Sequence, residues 1–337
     1  MAHGLSTLHT PNSDPTLWEL PDPRTAAGNT RMVGLELEFI GLKEGEVADI
    51  VAQHFGGTVS QDSRGHQLLT SPDFGEFQIY LDTVIGRGAD VTSLAGISRA
   101  LGRSVIPVEV VTPPLEPVAL EIVDDMTADL VASGAKGTEA GLMFGFGMHI
   151  NVEMRSQDPA DIVPVLRAFA FLEDWLRGTD PIDTSRRILP FVDPYPRGFV
   201  TDVAERGADW DLDTLFELYF RHNRTRNRAL DMLPILRTLD PERVDETLGT
   251  DIKIGTRPTY HYRLPDCRLD DPRWSVVYEW NRWVLVEQVA RDPELLEHLA
   301  ERWLAYRNDL TSIRGDWRQW VDTELVERGL WRWGGRA

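Results

Sequence analysis

Apolar and polar side chains alternate most regularly over residues 31–40, Arg-Met-Val-Gly-Leu-Glu-Leu-Glu-Phe-Ile. Gly34, Glu36 and Glu38 stand between apolar positions, which is the period of a β-strand with one polar face. Two carboxylates at neighbouring positions of a strand face repel each other unless water surrounds them or a cation lies between them. The pattern therefore predicts a strand whose polar face is either a solvated surface or a metal site.

Two further segments are predicted to be strands with polar positions of the same kind. In residues 145–154, His149 and Asn151 alternate with apolar side chains. In residues 105–115, Glu109 stands inside an apolar run, where an ionised carboxylate is costly unless it is paired or binds a metal. Three strands that each offer carboxylate or imidazole ligands favour a divalent-cation site on one face of a sheet.

The same patterns divide the rest of the chain into predicted strands, helices and irregular segments. Strands are predicted over 58–61, 66–70, 76–82 and 259–265, and helices over 45–55, 92–101, 116–133, 160–177, 211–232, 272–291, 293–308 and 311–328. The proline-rich segment 178–210 is predicted to be irregular, and residues 1–28 a poorly ordered or surface-hugging arm. Because no repeat or linker-like composition shift appears, residues 29–337 are predicted to form one domain with a helical C-terminal flank at about 272–330.

Composition narrows the class of protein. The formal net charge is −19 over 337 residues, which disfavours nonspecific binding to nucleic acid. A single cysteine, Cys267, excludes an internal disulfide framework and fits a reducing compartment. The chain shows neither a signal-peptide pattern nor an apolar run of bilayer length. We therefore predict a cytoplasmic protein whose partners include neither nucleic acid nor a membrane.

The candidate histidines each have a plainer interpretation. A lone histidine in a strand is more often a hydrogen-bonded core residue than a ligand, but Asn151 on the same face makes the two roles of His149 about equal. His261 lies in Tyr-His-Tyr-Arg, where packing between aromatic rings would explain it. The tryptophans of the last three helices are typical of a core or of an interface between copies in a homo-oligomer.

The arginines are open to two interpretations as well. Arg257 and Arg263 flank the His261 segment and could either balance nearby acids or grip phosphate through two hydrogen bonds. The run from Arg221 to Arg228 predicts a solvated helix face or a group of charges that neutralises the acidic surface. The sequence contains neither a Walker-type loop nor a G-x-G-x-x-G segment after a strand. A nucleotide would therefore have to be held by metal ions and arginines.

Four short segments occur in a characteristic order between residue 31 and about residue 270. They are Gly34-Leu-Glu-Leu-Glu-Phe, Glu109-Val-Val-Thr-Pro-Pro-Leu, Gly145-Phe-Gly-Met-His-Ile-Asn and Arg263-Leu-Pro-Asp. They are similar to the motifs G-x-E-x-E-F, E-x-x-[ST]-P, G-x-G-M-H-x-[HN] and E-x-R-x-P-D. In these motifs and their order the chain resembles the amidoligase family, a branch of the glutamine synthetase and glutamate–cysteine ligase superfamily.

The resemblance implies a fold and a set of metal ligands. The fold would be α+β, with a curved antiparallel β-sheet of the glutamine synthetase-like catalytic type, helices on its convex side and two or three Mg²⁺ or Mn²⁺ ions on its concave face. The residues at metal-ligand positions would be Glu36, Glu38, Glu109, His149 and His261. His261 replaces a carboxylate of the family motif, so it would supply a neutral ligand or that ion would be lost. Asp231 stands where the family usually has an asparagine.

The resemblance also implies residues that contact the nucleotide. Arg263 falls on the arginine that contacts the transferring phosphate, and Arg257 is expected to assist it. Ser185-Arg-Arg-Ile-Leu-Pro resembles the S-x-K-R-L-x-P phosphate loop of glutamine synthetase, which makes Arg187 a further catalytic candidate. Asn151 and Lys136 complete the predicted nucleotide contacts.

The function that the resemblance implies is an ATP-dependent carboxylate–amine ligase that needs Mg²⁺ or Mn²⁺ and acts through an acyl phosphate. Its substrates would be a small-molecule or peptide carboxylate and an amine. Transfer of a phosphate to the carboxylate supplies the leaving group that an amine can displace. Two alternatives stay open: a phosphotransferase acting on guanidino groups, which the same fold supports, and a catalytically silent scaffold.

Overall fold

One open sheet of eight antiparallel strands organises the part of the chain that the computed structural model describes, residues 16–81, 106–137, 146–179, 192–250, 254–309 and 313–331. The strands are β1 (Val33–Phe39), β2 (Thr58–Gln61), β3 (Gln67–Ser71), β4 (Gly75–Leu81), β5 (Val108–Val111), β6 (Met148–Glu153), β7 (Leu230–Asp231) and β8 (Thr259–Tyr262). Their order is β2-β3-β4-β5-β1-β6-β8-β7, so β1 lies at the centre, between β5 and β6. The strands predicted over 31–40, 58–61, 66–70, 76–82, 105–115, 145–154 and 259–265 are confirmed.

Ten α-helices accompany the sheet in the described ranges, which makes the fold a mixed α/β one. They are α1 (Glu44–Phe55), α2 (Leu120–Ala132), α3 (Pro159–Thr179), α4 (Arg197–Arg206), α5 (Leu212–His222), α6 (Leu233–Leu239), α7 (Pro241–Leu248), α8 (Val276–Ala290), α9 (Pro293–Asn308) and α10 (Arg314–Glu327). Among the residues described, no helix combines the length and the apolar character that crossing a bilayer requires.

The alternation of β1 sorts its side chains onto two different faces of the sheet. Val33, Leu35, Leu37 and Phe39 are at most 1% exposed, because helices cover their side of the sheet. On this side α1 packs against β2, β3 and β4, and the Trp283 ring of α8 lies 5.5 Å from the Tyr262 ring of β8. Burial of this apolar face is the main stabilising contribution to the sheet. The opposite face carries the polar positions.

A buried ion pair attaches the start of β1 to α8. Arg31 Nη1 and Nη2 donate to the two carboxylate oxygens of Glu287 over 2.7 and 2.8 Å, and both side chains are at most 4% exposed. Parallel bonds of this kind fix orientation as well as distance. Of the predicted arm, residues 16–28 also contact α8: Trp18 N donates to Asn281 Oδ1 over 2.9 Å, and Leu20 is buried. Residues 1–15 lie outside the described part of the chain.

The structure corrects two predictions in the second half of the chain. The helix predicted over 211–232 ends at His222, because Arg228 Nε donates to Asn223 Oδ1 over 2.8 Å and Arg228 Nη2 donates to the His222 carbonyl over 3.1 Å. The following residues lead into β7 rather than forming a solvated helix face. The segment 178–210, predicted to be irregular, contains α4. The helix predicted over 92–101 lies outside the described residues.

Candidate active site

The register of the sheet places the predicted ligands opposite one another on its polar face. Glu36 of β1 pairs with His149 of β6, and Glu38 of β1 pairs with Glu109 of β5. On the other side of β6, Asn151 pairs with His261 of β8. Residues that are directly opposite in an antiparallel pair point to the same face and lie within contact distance. Two neighbouring rows of polar side chains therefore run across the centre of the sheet.

Three of the five predicted metal ligands form a close cluster. The carboxylate of Glu36 and the imidazoles of His149 and His261 each offer one ligand atom, and these atoms lie within 4.8 Å of one another. His149 Nδ1 is 2.7 Å from Glu36 Oε2. The two imidazole rings meet edge to face, with their centroids 5.0 Å apart. This spacing would allow all three side chains to bind one ion.

The hydrogen bonds of Asn151 determine which ring nitrogen of His261 carries a proton. Its Nδ2 donates to Glu36 Oε1 over 3.1 Å, and its Oδ1 is 2.6 Å from His261 Nδ1. Because an ionised carboxylate only accepts hydrogen bonds, the amide nitrogen must face Glu36 and the amide oxygen must face His261. His261 Nδ1 therefore carries a proton, and the lone pair of its other ring nitrogen is available. A hydrogen bond from one ring nitrogen to an outer partner is typical of histidines that bind a metal through the other.

Two of the three residues of the cluster have pKa shifts that suit binding of a cation. Burial alone would raise the pKa of Glu36, but the hydrogen bond and charge of His149 hold this pKa well below its usual value, assisted by His261 and Arg257. Burial lowers the pKa of His261 well below its usual value, and the nearby Arg263 and Arg257 lower it further despite Glu36. The carboxylate is therefore ionised and His261 is neutral, which are the states that divalent ions require of these ligands.

Glu38 and Glu109 lie one row away from the cluster. Glu38 Oε2 accepts a hydrogen bond from Gly147 N over 2.8 Å, and Glu109 is buried between Glu38 and Tyr80 in the register of β1, β5 and β4. The two carboxylates share a face with Glu36 but do not belong to the group whose ligand atoms lie within 4.8 Å.

The predicted arginines lie on two sides of the cluster. Arg257 is 46% exposed, and its Nη1 donates to Glu36 Oε1 over 3.3 Å. Arg263 follows β8 and donates through Nη1 to the carbonyl oxygen of Arg226. Arg226 Nε in turn donates to Asp231 Oδ2 over 3.5 Å. The structure thus brings Arg257 to the cluster directly and places Arg263 in a network with two further charged residues.

Asp231 and Arg226 lie next to predicted site residues in a way that the sequence does not reveal. Asp231 is fully buried and pairs with His261 in the register of β7 and β8. Its burial raises its pKa, although the charges of Arg263 and Arg226 act in the opposite direction. In the sequence, Asp231 is distinguished only as a departure from a family motif, and the arginine run that contains Arg226 predicts a solvated helix face. A strand of two residues is too short to show an alternating pattern. Only the position of Asp231 in the family motif could therefore have identified this part of the chain.

Two further predicted contacts are Lys136 and Arg187. Lys136 is exposed, and its backbone N donates to the Ile40 carbonyl over 2.8 Å, just beyond the Glu38 end of β1. Arg187 lies outside the described residues, so the structure does not test it. The segment 138–145, which precedes the His149 strand, also lies outside them.

A cleft of about 490 Å³ opens beside the cluster, over the part of the polar face where β1 begins. Gly34, Asn151 and Arg257 line its side nearest the cluster. Asn151 and Arg257 also contact Glu36 directly, so the cleft and the cluster share two residues. A ligand in this cleft would lie next to an ion bound at the cluster.

Comparison with known proteins identifies a family. A family model described as "Putative amidoligase enzyme" matches residues 29–285, more than half of the 337 residues. The matched range begins before β1 and ends within α8, so it includes the cluster, both flanking arginines and the cleft. No curated protein matches the chain.

Proposed function

The chain belongs to the family described as "Putative amidoligase enzyme", and from this membership we propose that it is an ATP-dependent carboxylate–amine ligase. The observation that carries the proposal is the cluster of Glu36, His149 and His261, with Arg257 on one side and Arg263 on the other. Metal ligands and arginines beside one another are the components that phosphoryl transfer requires when no glycine-rich loop holds the nucleotide.

The residues present fit divalent ions. One carboxylate and two imidazoles within 4.8 Å would hold one ion, and such a mixed donor set suits Mn²⁺ better than Mg²⁺. Glu38 and Glu109 would hold a second ion with oxygen ligands alone, which suits Mg²⁺. When bound, such ions offset the negative charge of the nucleotide phosphates. Replacement of a family carboxylate by His261 would thus change the kind of ion bound rather than abolish the site.

The proposed reaction has two steps. A carboxylate oxygen of the acid attacks the γ-phosphorus of ATP, the bond from this phosphorus to the β–γ bridging oxygen breaks, and ADP leaves. The nitrogen of the amine then attacks the acyl carbon, the bond from this carbon to the phosphate oxygen breaks, and inorganic phosphate leaves. The nitrogen loses a proton to water, and the product is an amide.

The side chains of the site would divide this work. Arg263, supported by Arg226 and Asp231, would bind the transferring phosphate, whose geometry matches a guanidinium. Arg257 would bind the acid's carboxylate or the phosphate where they meet, beside Glu36. Asn151 would keep Glu36 and His261 oriented. Lys136 is proposed as a nucleotide contact from the far end of β1.

Trapping with hydroxylamine tests this proposal. The protein is incubated with ATP, Mg²⁺ or Mn²⁺ and a panel of small acids, and hydroxylamine replaces the natural amine. An acyl phosphate reacts with hydroxylamine to give a hydroxamate, so we expect hydroxamate and ADP in equal amounts, and neither from the Glu36→Gln variant. ADP formed only with guanidino compounds, which would become phosphorylated, identifies the phosphotransferase instead. Binding of ATP without turnover of any acid or guanidino compound identifies the scaffold.

A further inference from the structure

We propose that the cleft beside the cluster binds the acid substrate, and that this acid is a small carboxylate with an apolar body. This assignment rests on the proposed ligase function and deepens it by stating which class of acid the site accepts. Its carboxylate would lie between Arg257 and the cluster, and its apolar body would extend over Gly34.

Gly34 forms the open floor of the cleft. It is the residue of β1 that pairs with Asn151, in the position where a side chain would rise from the polar face. A β-carbon built there would be 3.7 Å from Asn151 Cβ, an ordinary van der Waals contact, and Gly34 does not adopt the left-handed backbone conformation that favours glycine. Neither the backbone nor the neighbours therefore require a glycine. The space that its missing side chain leaves is the feature that needs an explanation, and a ligand supplies one.

The walls are largely apolar, and the polar side chains among them are mostly occupied. Thr112 Oγ1 accepts from Leu35 N and donates to the Pro113 carbonyl, both over 2.9 Å. Glu153 Oε2 accepts from Met32 N over 3.0 Å. Thr112 is therefore committed to the protein, whereas Glu153 keeps acceptor capacity and a negative charge that a ligand can contact. The body of the ligand would therefore rest on apolar surface, as in most small-molecule sites.

Besides Glu153, two polar groups can recognise the ligand. Arg257 is 46% exposed at the edge of the cleft and carries a positive charge in a chain of net charge −19. Thr259 Oγ1 is buried and has no hydrogen-bond partner among the described residues, which is costly for a hydroxyl until a ligand or water supplies one. Arg257 matches the carboxylate of an acid, while Glu153 and Thr259, which pair across β6 and β8, would contact at most one further polar group on it. They match the edge of a nucleotide base poorly, because a base presents several donors and acceptors side by side.

The size of the cleft limits the ligand. A volume of about 490 Å³ lies within the range of small-molecule sites, which suits a small organic acid. Of the substrates open to an amidoligase, the geometry therefore favours a small molecule as the acid.

Binding of defined probes tests the inference without relying on turnover. Hexanoate, 3-phenylpropanoate and 4-phenylbutyrate are titrated into the full chain by calorimetry, with Mn²⁺ present, beside the corresponding neutral amides. We expect at least one acid to bind at least tenfold more tightly than its amide. Gly34→Val, which fills the floor, and Arg257→Met, which removes the cation, should each weaken that acid at least tenfold. Gly45→Val in α1 and Arg64→Met in the β2–β3 turn are matched controls that should stay within twofold of the parent.

The inference is overturned if none of the acids binds, if acids and amides bind alike, or if Gly34→Val binds them as the parent does. If circular dichroism shows that Gly34→Val does not fold, Gly34→Ala tests the same point. Its smaller side chain should weaken binding of the acid by a smaller factor. The two proposals fail in different ways. Acids that bind in the cleft but yield no hydroxamate contradict the ligase function alone. Hydroxamate formation that Gly34→Val leaves unchanged contradicts the cleft assignment alone.

Discussion

Glu36 lies at the centre of the cluster, and replacing it by glutamine tests the hydrogen-bond network there. Glu36 Oε2 faces His149 Nδ1 at 2.7 Å, and Glu36 Oε1 accepts from Asn151 Nδ2 at 3.1 Å and from Arg257 Nη1 at 3.3 Å. Glutamine offers one acceptor oxygen in place of two, and its amide nitrogen would face another donor. The change therefore removes a charge that three donors surround.

The expected loss of unfolding free energy in Glu36→Gln follows from these contacts. A hydrogen bond to a charged group contributes about 1.5–3 kcal/mol, while a buried carboxylate also costs free energy through desolvation, which glutamine relieves in part. We expect the metal-free Glu36→Gln protein to lose about 2 kcal/mol of unfolding free energy. The assay is urea unfolding in EDTA, followed by tryptophan fluorescence. Glu301→Gln, at an exposed position of α9, is the matched control and should change stability by less than about 0.5 kcal/mol.

The same variant reports on the metal. An ion at a hundred times its dissociation constant stabilises the native state by about 2.7 kcal/mol, so Mn²⁺ should stabilise the parent and the Glu301→Gln control but not Glu36→Gln. If Glu36→Gln is as stable as the parent in EDTA and gains as much from Mn²⁺, neither the network nor the metal site is as described.

Three further predictions concern other parts of the molecule. Arg31→Met leaves the Glu287 charge buried without its partner and should lower the unfolding free energy, measured in urea, by about 3–5 kcal/mol. The double variant Arg31→Met with Glu287→Leu should recover part of this loss. Equal losses in the single and double variants would contradict this reasoning. Arg263→Lys keeps the charge but loses the planar guanidinium, which can bind two phosphate oxygens at once. Hydroxamate turnover should therefore fall at least about tenfold, roughly 1.4 kcal/mol of transition-state stabilisation, while ATP affinity should change less. Unchanged turnover would assign Arg263 a structural role. Burial raises the pKa of Asp124 to about 6, above its value in the unfolded chain, so this group's stabilisation is complete below about pH 4 and is lost as pH rises through 6. The parent should therefore lose about 1 kcal/mol of urea stability between pH 5 and 7 that Asp124→Asn does not lose, and parallel profiles would refute the assignment.

Strand periodicity revealed the part of the site that local patterns encode. Glu36, Glu109 and His149 were recognised because each stands in an alternating or apolar run, and the register of β1 with β5 and β6 then places all three on one face. The partnership of His261 with Asn151 could not be read in the same way. It depends on the pairing of strands more than a hundred residues apart along the chain.

The features that the sequence did not reveal depend on contacts between distant segments. The end of α5 at His222 is set by the guanidinium of Arg228, whereas the local run of arginines is equally compatible with a continuing helix. The cleft could not be foreseen, because a glycine in an alternating strand shows neither the space above it nor the walls around it. The order of the arm beyond residue 15 depends on α8, about 260 residues away.

The central claim is that ATP activates a carboxylate at this site, and transfer of oxygen tests it most directly. An acid substrate identified by trapping is labelled with ¹⁸O in both carboxylate oxygens and incubated with the protein, ATP, the metal and an amine. An acyl-phosphate intermediate should release inorganic phosphate that carries one ¹⁸O atom per molecule, because the oxygen attached to phosphorus in the acyl phosphate comes from the acid. If the released phosphate contains no ¹⁸O, water and not the carboxylate attacks ATP. This result would contradict activation of a carboxylate at this site.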